Sequence, residues 1–189
     1  MTLESGVVIF AVTILGLVLA FIVVTDYNAV IALRQRIDKA WSNIDVVLKQ
    51  RHDQLPALVD AVRGMLAFEQ DVLTEVTQAR AAYSPTEPIP EKAVTSERTT
   101  AAVRSLLFTV ERYPDLKSQA NVLDLQNEIE RLESMIADRR ELYNDQVFRY
   151  NTRITTIPTL VLAAVFGWRT RPYFIAEPAE TVTPPVTVS

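Results

Sequence analysis

One stretch limits what this chain can fold into. From Ser5 to Thr25 it carries no charged residue, and Glu4 and Asp26 close the run. At 1.5 Å rise per residue, a helix of that length crosses a hydrocarbon core of roughly 30 Å. Lipid offers no partners to backbone N–H and C=O groups, so a lone crossing segment has to be helical. A cleaved secretory signal is the competing reading, and it calls for a basic start and a small-x-small cleavage site. Met1-Thr2-Leu3-Glu4 holds neither Lys nor Arg, and Phe21 to Asp26 offers no such site. The sequence therefore predicts a retained transmembrane helix over 5–25 behind a short external N-terminus, 1–4. Lys and Arg are absent before the run, whereas Arg34, Arg36 and Lys39 follow it. The positive-inside bias then places residues 26–189 in the cytoplasm, on the face of a cell membrane such as the bacterial inner membrane.

Behind the anchor the composition reads as helical. The chain has only four glycines, and Gly6 and Gly16 belong to the anchor. It has no cysteine, so no disulfide forms. The net charge of −4 is spread with both signs mixed, and no basic segment marks a nucleic-acid groove. The bilayer, through residues 5–25, and protein partners or further copies of the chain are the expected contacts.

From about Tyr27 to Tyr83 the apolar spacing alternates three and four, as on one stripe of a helix or a coiled-coil seam. Val30, Leu33, Ile37, Ala40, Ile44, Leu48, Leu55, Leu58, Val62, Met65, Val72, Val76 and Ala79 hold the register. Pro56 interrupts it, and a proline inside a helix kinks or breaks it. The register favours a kink. Length favours a break, because a helix unbroken to Tyr83 would reach roughly 85 Å. Pro85, Pro88 and Pro90 make 84–91 a loop. A helix over about 91–112 follows, with Val94, Ala101, Leu106, Leu107 and Val110 as its apolar side. The next helix, about 115–157, has Pro114 in its first turn and Pro158 at its end. Its seam is Val122, Leu125, Ile129, Leu132, Ile136, Arg139, Tyr143, Val147, Tyr150 and Ile154, with Glu128, Glu130, Arg131 and Glu133 on solvated faces. The helical region closes at 158. Residues 159–176 form an apolar segment that either packs on the bundle or lies at the membrane interface, and residues 177–189 read as a disordered tail.

No catalytic or metal constellation stands out. His52 is the only histidine, no Glu-x-x-His pair exists, and there is no Gly-rich phosphate loop. The sequence predicts no enzyme and no cofactor. The informative polar residues are those in core register. Arg51, Glu69 and Arg139 sit where apolar residues are expected, and Tyr143-Asn144 and Tyr150-Asn151 recur a heptad apart. A buried charge is costly unless paired, so these residues either flank the core or form a buried polar network. Trp168, Arg169, Arg171, Tyr173 and Phe174 have the amphipathic character of residues at headgroup level.

The tract 27–64, the motif Tyr113-Pro114-Asp115-Leu116-Lys117 within 111–154, and 157–168 together resemble the LemA family. The motifs Ala40-Trp41-Ser42-Asn43-Ile44-Asp45 and Tyr143-Asn144-Asp145 stand in the family's order, whereas 81–105 matches poorly. The resemblance implies an anchor followed by a cytoplasmic, antiparallel, up-and-down bundle of four helical segments. It favours a break near Pro56 and brings no catalytic residues. The expected function is a non-enzymatic, membrane-anchored scaffold that organises or remodels membrane. A regulatory subunit or adaptor of a membrane enzyme such as a protease is the alternative.

Overall fold

A computed structural model describes residues 3–64, 66 and 69–176; the expected tail, 177–189, lies outside them. All six elements among the described residues are helices: α1 (Leu3–Arg63), α2 (Gln70–Ala81), α3 (Ile89–Glu111), α4 (Pro114–Lys117), α5 (Ala120–Thr155) and α6 (Thr159–Phe166). The chain divides into two compact units. Among the described residues, one comprises 3–41 with 143–171, the other 42–142 with 172–176, so α1 and α5 contribute to both.

Helix α1 changes its surroundings along its length. Residues 6–25 are exposed throughout, including Phe10, Leu17 and Phe21. The hydroxyls there bond back into the helix, with Thr13 Oγ1 donating to the Ile9 carbonyl at 2.8 Å and Thr25 Oγ1 to that of Phe21 at 2.9 Å. This satisfies polar atoms without water. The stretch is a candidate membrane span by length and composition. From Val30 onward the helix buries one stripe: Val30, Ile37, Ala40, Ile44, Val47, Leu48, Leu55, Leu58, Val59 and Val62.

The break favoured near Pro56 is absent, since α1 continues through the proline to Arg63. A helical proline costs roughly 3 kcal/mol. Leu55, Leu58 and Val62, all fully buried around it, offset that cost by keeping the stripe in register. The helix ends at Gly64 instead, and α2 starts at Gln70.

Helix α3 starts at Ile89, inside the expected loop, with Pro90 in its first turn. Its buried face is the expected one only in part: Leu106 and Val110 are buried, Val94 and Leu107 are half-buried, and Ala101 is exposed. Lys92, Ala93, Ser96, Thr99, Thr100, Ala102, Val103 and Thr109 complete it. Helix α2 packs on α3, burying Leu73 and Val76. The turn after Tyr113 is separate from the long helix: α4 uses Pro114 in its first turn, and α5 begins only at Ala120. The expected seam of α5 is buried, except that Leu125 and Arg139 are half-buried. Helix α6 closes on Gly167, whose φ of 65° lies in the left-handed region that glycine adopts without cost, and Trp168 N–H bonds the Ala163 carbonyl.

Candidate functional site

Arg51 is 3 % exposed at mid-α1, and both terminal nitrogens of its guanidinium are engaged. Nη1 donates to Glu133 Oε1 at 2.7 Å and to Thr100 Oγ1 at 2.8 Å. Nη2 donates to the Ser96 hydroxyl and carbonyl. Thr100 in turn donates to the second oxygen of Glu133 at 2.7 Å. The result is a closed ring of one cation, one carboxylate and one hydroxyl on three helices, with Ser96 attached to it through Arg51. A buried arginine is tolerated only with such partners, because its charge has lost water. Glu133 therefore leaves the solvated face expected for it. It lies between Ile129 and Ile136 in three-four spacing, at the edge of the α5 seam.

A second buried cation stands one turn from the start of α3. Lys92, 2 % exposed, donates to Asp45 at 2.7 Å and to the Pro85 carbonyl at 3.0 Å. Its ammonium also sits 5.8 Å from the Tyr83 ring, which stacks on His52 at 4.7 Å. Burial, followed by the nearby Arg80, holds the His52 imidazole below its usual pKa. Lys92 carried no sequence signal beyond being charged, and Asp45 only its place at the end of the Ala40-Trp41-Ser42-Asn43-Ile44-Asp45 motif.

The other residues singled out from the sequence go to separate places. Glu69 does not meet Arg51; it accepts from the Tyr113 hydroxyl at 3.0 Å and from Arg112. That hydrogen bond raises the pKa of the Tyr113 phenol. Arg139 is half-buried, and its Nε has no hydrogen-bond partner among the described residues. In the unit made of 3–41 and 143–171, Tyr143 is fully buried with its ring edge on Trp41, 5.7 Å between centroids. Burial pushes its phenol up to about 12. Asn144 is half-buried. The Tyr150 hydroxyl donates to the Arg169 carbonyl at 3.1 Å. Asn151 grips Arg171 on both sides: its amide donates to the Arg171 carbonyl, and its oxygen accepts from the Arg171 N–H at 2.8 Å. Tyr150 and Asn151 thus hold the segment after α6 by its backbone, without touching Arg51.

The five residues expected at headgroup level also separate. Arg169 is exposed, and Arg171 is partly buried with its side chain beside Asp38 at 3.8 Å. Trp168 stacks on Phe166 at 5.3 Å, and both approach Tyr27. Tyr173 is 36 % exposed, whereas Phe174 is 2 % exposed and so is a core residue of the second unit. One further pair carried no sequence signal: Arg153 donates a short hydrogen bond to Asp26, which is 4 % exposed where the uncharged run ends.

Among the described residues no group of His, Cys, Asp and Glu could hold a metal ion. What the polar residues can do is fix helix register: each buried charge has one arrangement that satisfies it.

Protein LemA of Metamycoplasma hominis is 27 % identical over 157 residues, which is 82 % of this chain and 71 % of that protein. Magnetosome protein MamQ 2 of Paramagnetospirillum magneticum is 35 % identical over 78 residues, and MamQ of Magnetospirillum gryphiswaldense 32 % over 78. Each of these two matches covers 41 % of this chain but only 29 % of the magnetosome protein. The LemA family pattern itself matches residues 40–188, so the chain belongs to the LemA family.

Proposed function

We propose that this protein is a non-enzymatic, membrane-anchored scaffold. It is held by residues 5–25, with the N-terminus outside and a helical bundle of residues 26–158 offered to protein partners on the cytoplasmic side. The observation that carries this reading is α1 itself: one helix with an uncharged, wholly exposed stretch at 6–25 that turns into the buried stripe of a helical domain. A helix that is apolar all round needs lipid or protein around it. The antiparallel, up-and-down arrangement is part of the proposal. It is supported by contacts that run in opposite chain order, Asp26 with Arg153 and Trp41 with Tyr143.

The test is alkaline extraction of membranes followed by crosslinking of the full chain. The expected result is retention in the membrane pellet that is lost on deleting 5–25, together with crosslinked copies or a bundle-dependent partner. Release by alkali with the anchor intact would overturn the reading. A stoichiometric protease partner would favour the adaptor alternative instead.

A further inference from the structure

Helix α6 is apolar on the side that faces away from the protein. Thr159 and Ala163 are its buried positions, and Leu162 is half-buried between them. On the opposite side, Leu160, Val161, Ala164 and Val165 follow Ile157 in helical spacing, all exposed. Ile157 is 82 % exposed, Val161 63 % and Val165 73 %. On a helix surrounded by water, this is the face that carries charge. At eight residues, α6 is about 12 Å long and cannot cross a bilayer.

Its position is fixed by rings. Tyr27 follows the Asp26 that ends the uncharged run, and it meets Phe166 edge-on at 5.2 Å and Trp168 at 5.9 Å. The Arg153 pair with Asp26 ties the end of α5 to the same level. If residues 6–25 cross the bilayer, Tyr27 emerges at the headgroups, and α6 is held beside it. Aromatic rings gather at that depth, and an exposed arginine such as Arg169 suits it because its head can reach phosphates.

We propose that Ile157 and α6 form a second membrane contact, a short interfacial foot lying in the leaflet from which α1 emerges, its occupant the lipid surface. This rests on the reading of 6–25 as a span, and it gives that anchor a fixed angle: one helix through the bilayer and one along it hold the domain in a single orientation. It also relocates the interface. The membrane-facing set is Ile157, Leu160, Val161, Val165, Phe166 and Trp168, not Phe174.

The test uses the full chain in phosphatidylcholine–phosphatidylglycerol vesicles with brominated acyl chains. Trp41→Phe leaves Trp168 as the only tryptophan. Its emission is expected to shift to the blue and to lose intensity with bromines high on the chains, and much less with bromines at the bilayer centre. Leu15→Trp in a Trp41→Phe, Trp168→Phe background reports on the anchor, with the opposite depth preference. Val161→Gln with Val165→Gln, both at exposed positions, should abolish the shallow quenching of Trp168 while helix content by circular dichroism stays unchanged. If Leu15→Trp is quenched and Trp168 is not, the foot is wrong and the anchor stands. That includes the case in which a second copy covers the face. If neither is quenched, the anchor reading falls and takes the foot with it. Shallow quenching that survives the double glutamine change would also overturn the role given to this face.

Discussion

On α5 the side chains withdrawn from water are Val122, Ile129, Leu132, Ile136, Tyr143, Val147, Tyr150 and Ile154, with Gln126 among them. On α3 they include Lys92, Ser96, Thr99, Thr100 and Thr109 beside Ala102, Val103, Leu106 and Val110. The two helices use burial differently. Helix α5 contributes transfer free energy along a continuous seam. Much of the buried face of α3 contributes partners: Ser96 and Thr100 exist there for Arg51, and Lys92 for Asp45. A polar face of this kind adds little net stability when complete and costs a great deal when one member is missing.

That asymmetry gives the largest expected effect. Glu133→Leu leaves the Arg51 charge buried with only hydroxyls and a carbonyl, and should destabilise the detergent-solubilised chain by about 3–5 kcal/mol in urea unfolding. Arg51→Met added to Glu133→Leu should recover most of that loss, because the charge goes together with its partner. A double variant as unstable as the single one would mean that the ring stabilises the fold outright, and the contrast drawn with α5 would fail.

This difference also decides what could be read from sequence. The seam of α5 was legible from Val122 to Ile154 because hydrophobic periodicity reports apolar burial. The Ser5–Thr25 run was legible from its length and its lack of charge. The face of α3 was legible only at Leu106 and Val110: Ser96 and Thr100 are buried against Arg51 in another helix, and Thr99 bonds to the Thr95 and Ala79 carbonyls. Apolar spacing therefore selected Ala101, which is exposed. Arg51 could be singled out because it fell in register, but its partner could not. Glu69, also in register, went instead to Tyr113. Pro56 left two outcomes open, because the apolar register favoured a kink while chain length and the family resemblance favoured a break, and the buried leucines around it carry the helix through.

The aromatic part of the α5 seam should show its own weakness at high pH. Tyr143 holds its proton more tightly folded, at about 12, than unfolded, at about 10. Its contribution is fully present below pH 10 and is lost as pH rises through 12. The loss should be on the order of 2 kcal/mol at the top of that window. Tyr143→Phe should flatten the alkaline slope of the unfolding curve, and an unchanged slope would place the sensitivity elsewhere. Smaller again is Lys92→Met. It removes two hydrogen bonds from a buried ammonium, but Asp45 is 40 % exposed and regains water. We expect a loss of about 1–2 kcal/mol. If it equalled that of Glu133→Leu, the two polar clusters of α3 would be equivalent, which their exposure argues against.

The smallest effect lies where α1 faces the end of α2. His52 is stacked on Tyr83, with Arg80, Lys49 and Asp53 as its charged neighbours. Its pKa is lowered, first by burial and then by Arg80, so below the usual histidine value the unfolded chain takes up a proton more readily than the folded one. Stability should therefore fall on acidification from pH 7 through the usual histidine pKa, towards the lower folded value. His52→Phe keeps the ring on Tyr83 and removes the titration, so the midpoint of thermal unfolding should depend less on pH in that range. A variant with the same acid slope as the parent would show that the slope arises from carboxylates such as Asp53, which its hydrogen bond from Lys49 holds below the usual range, and not from the histidine.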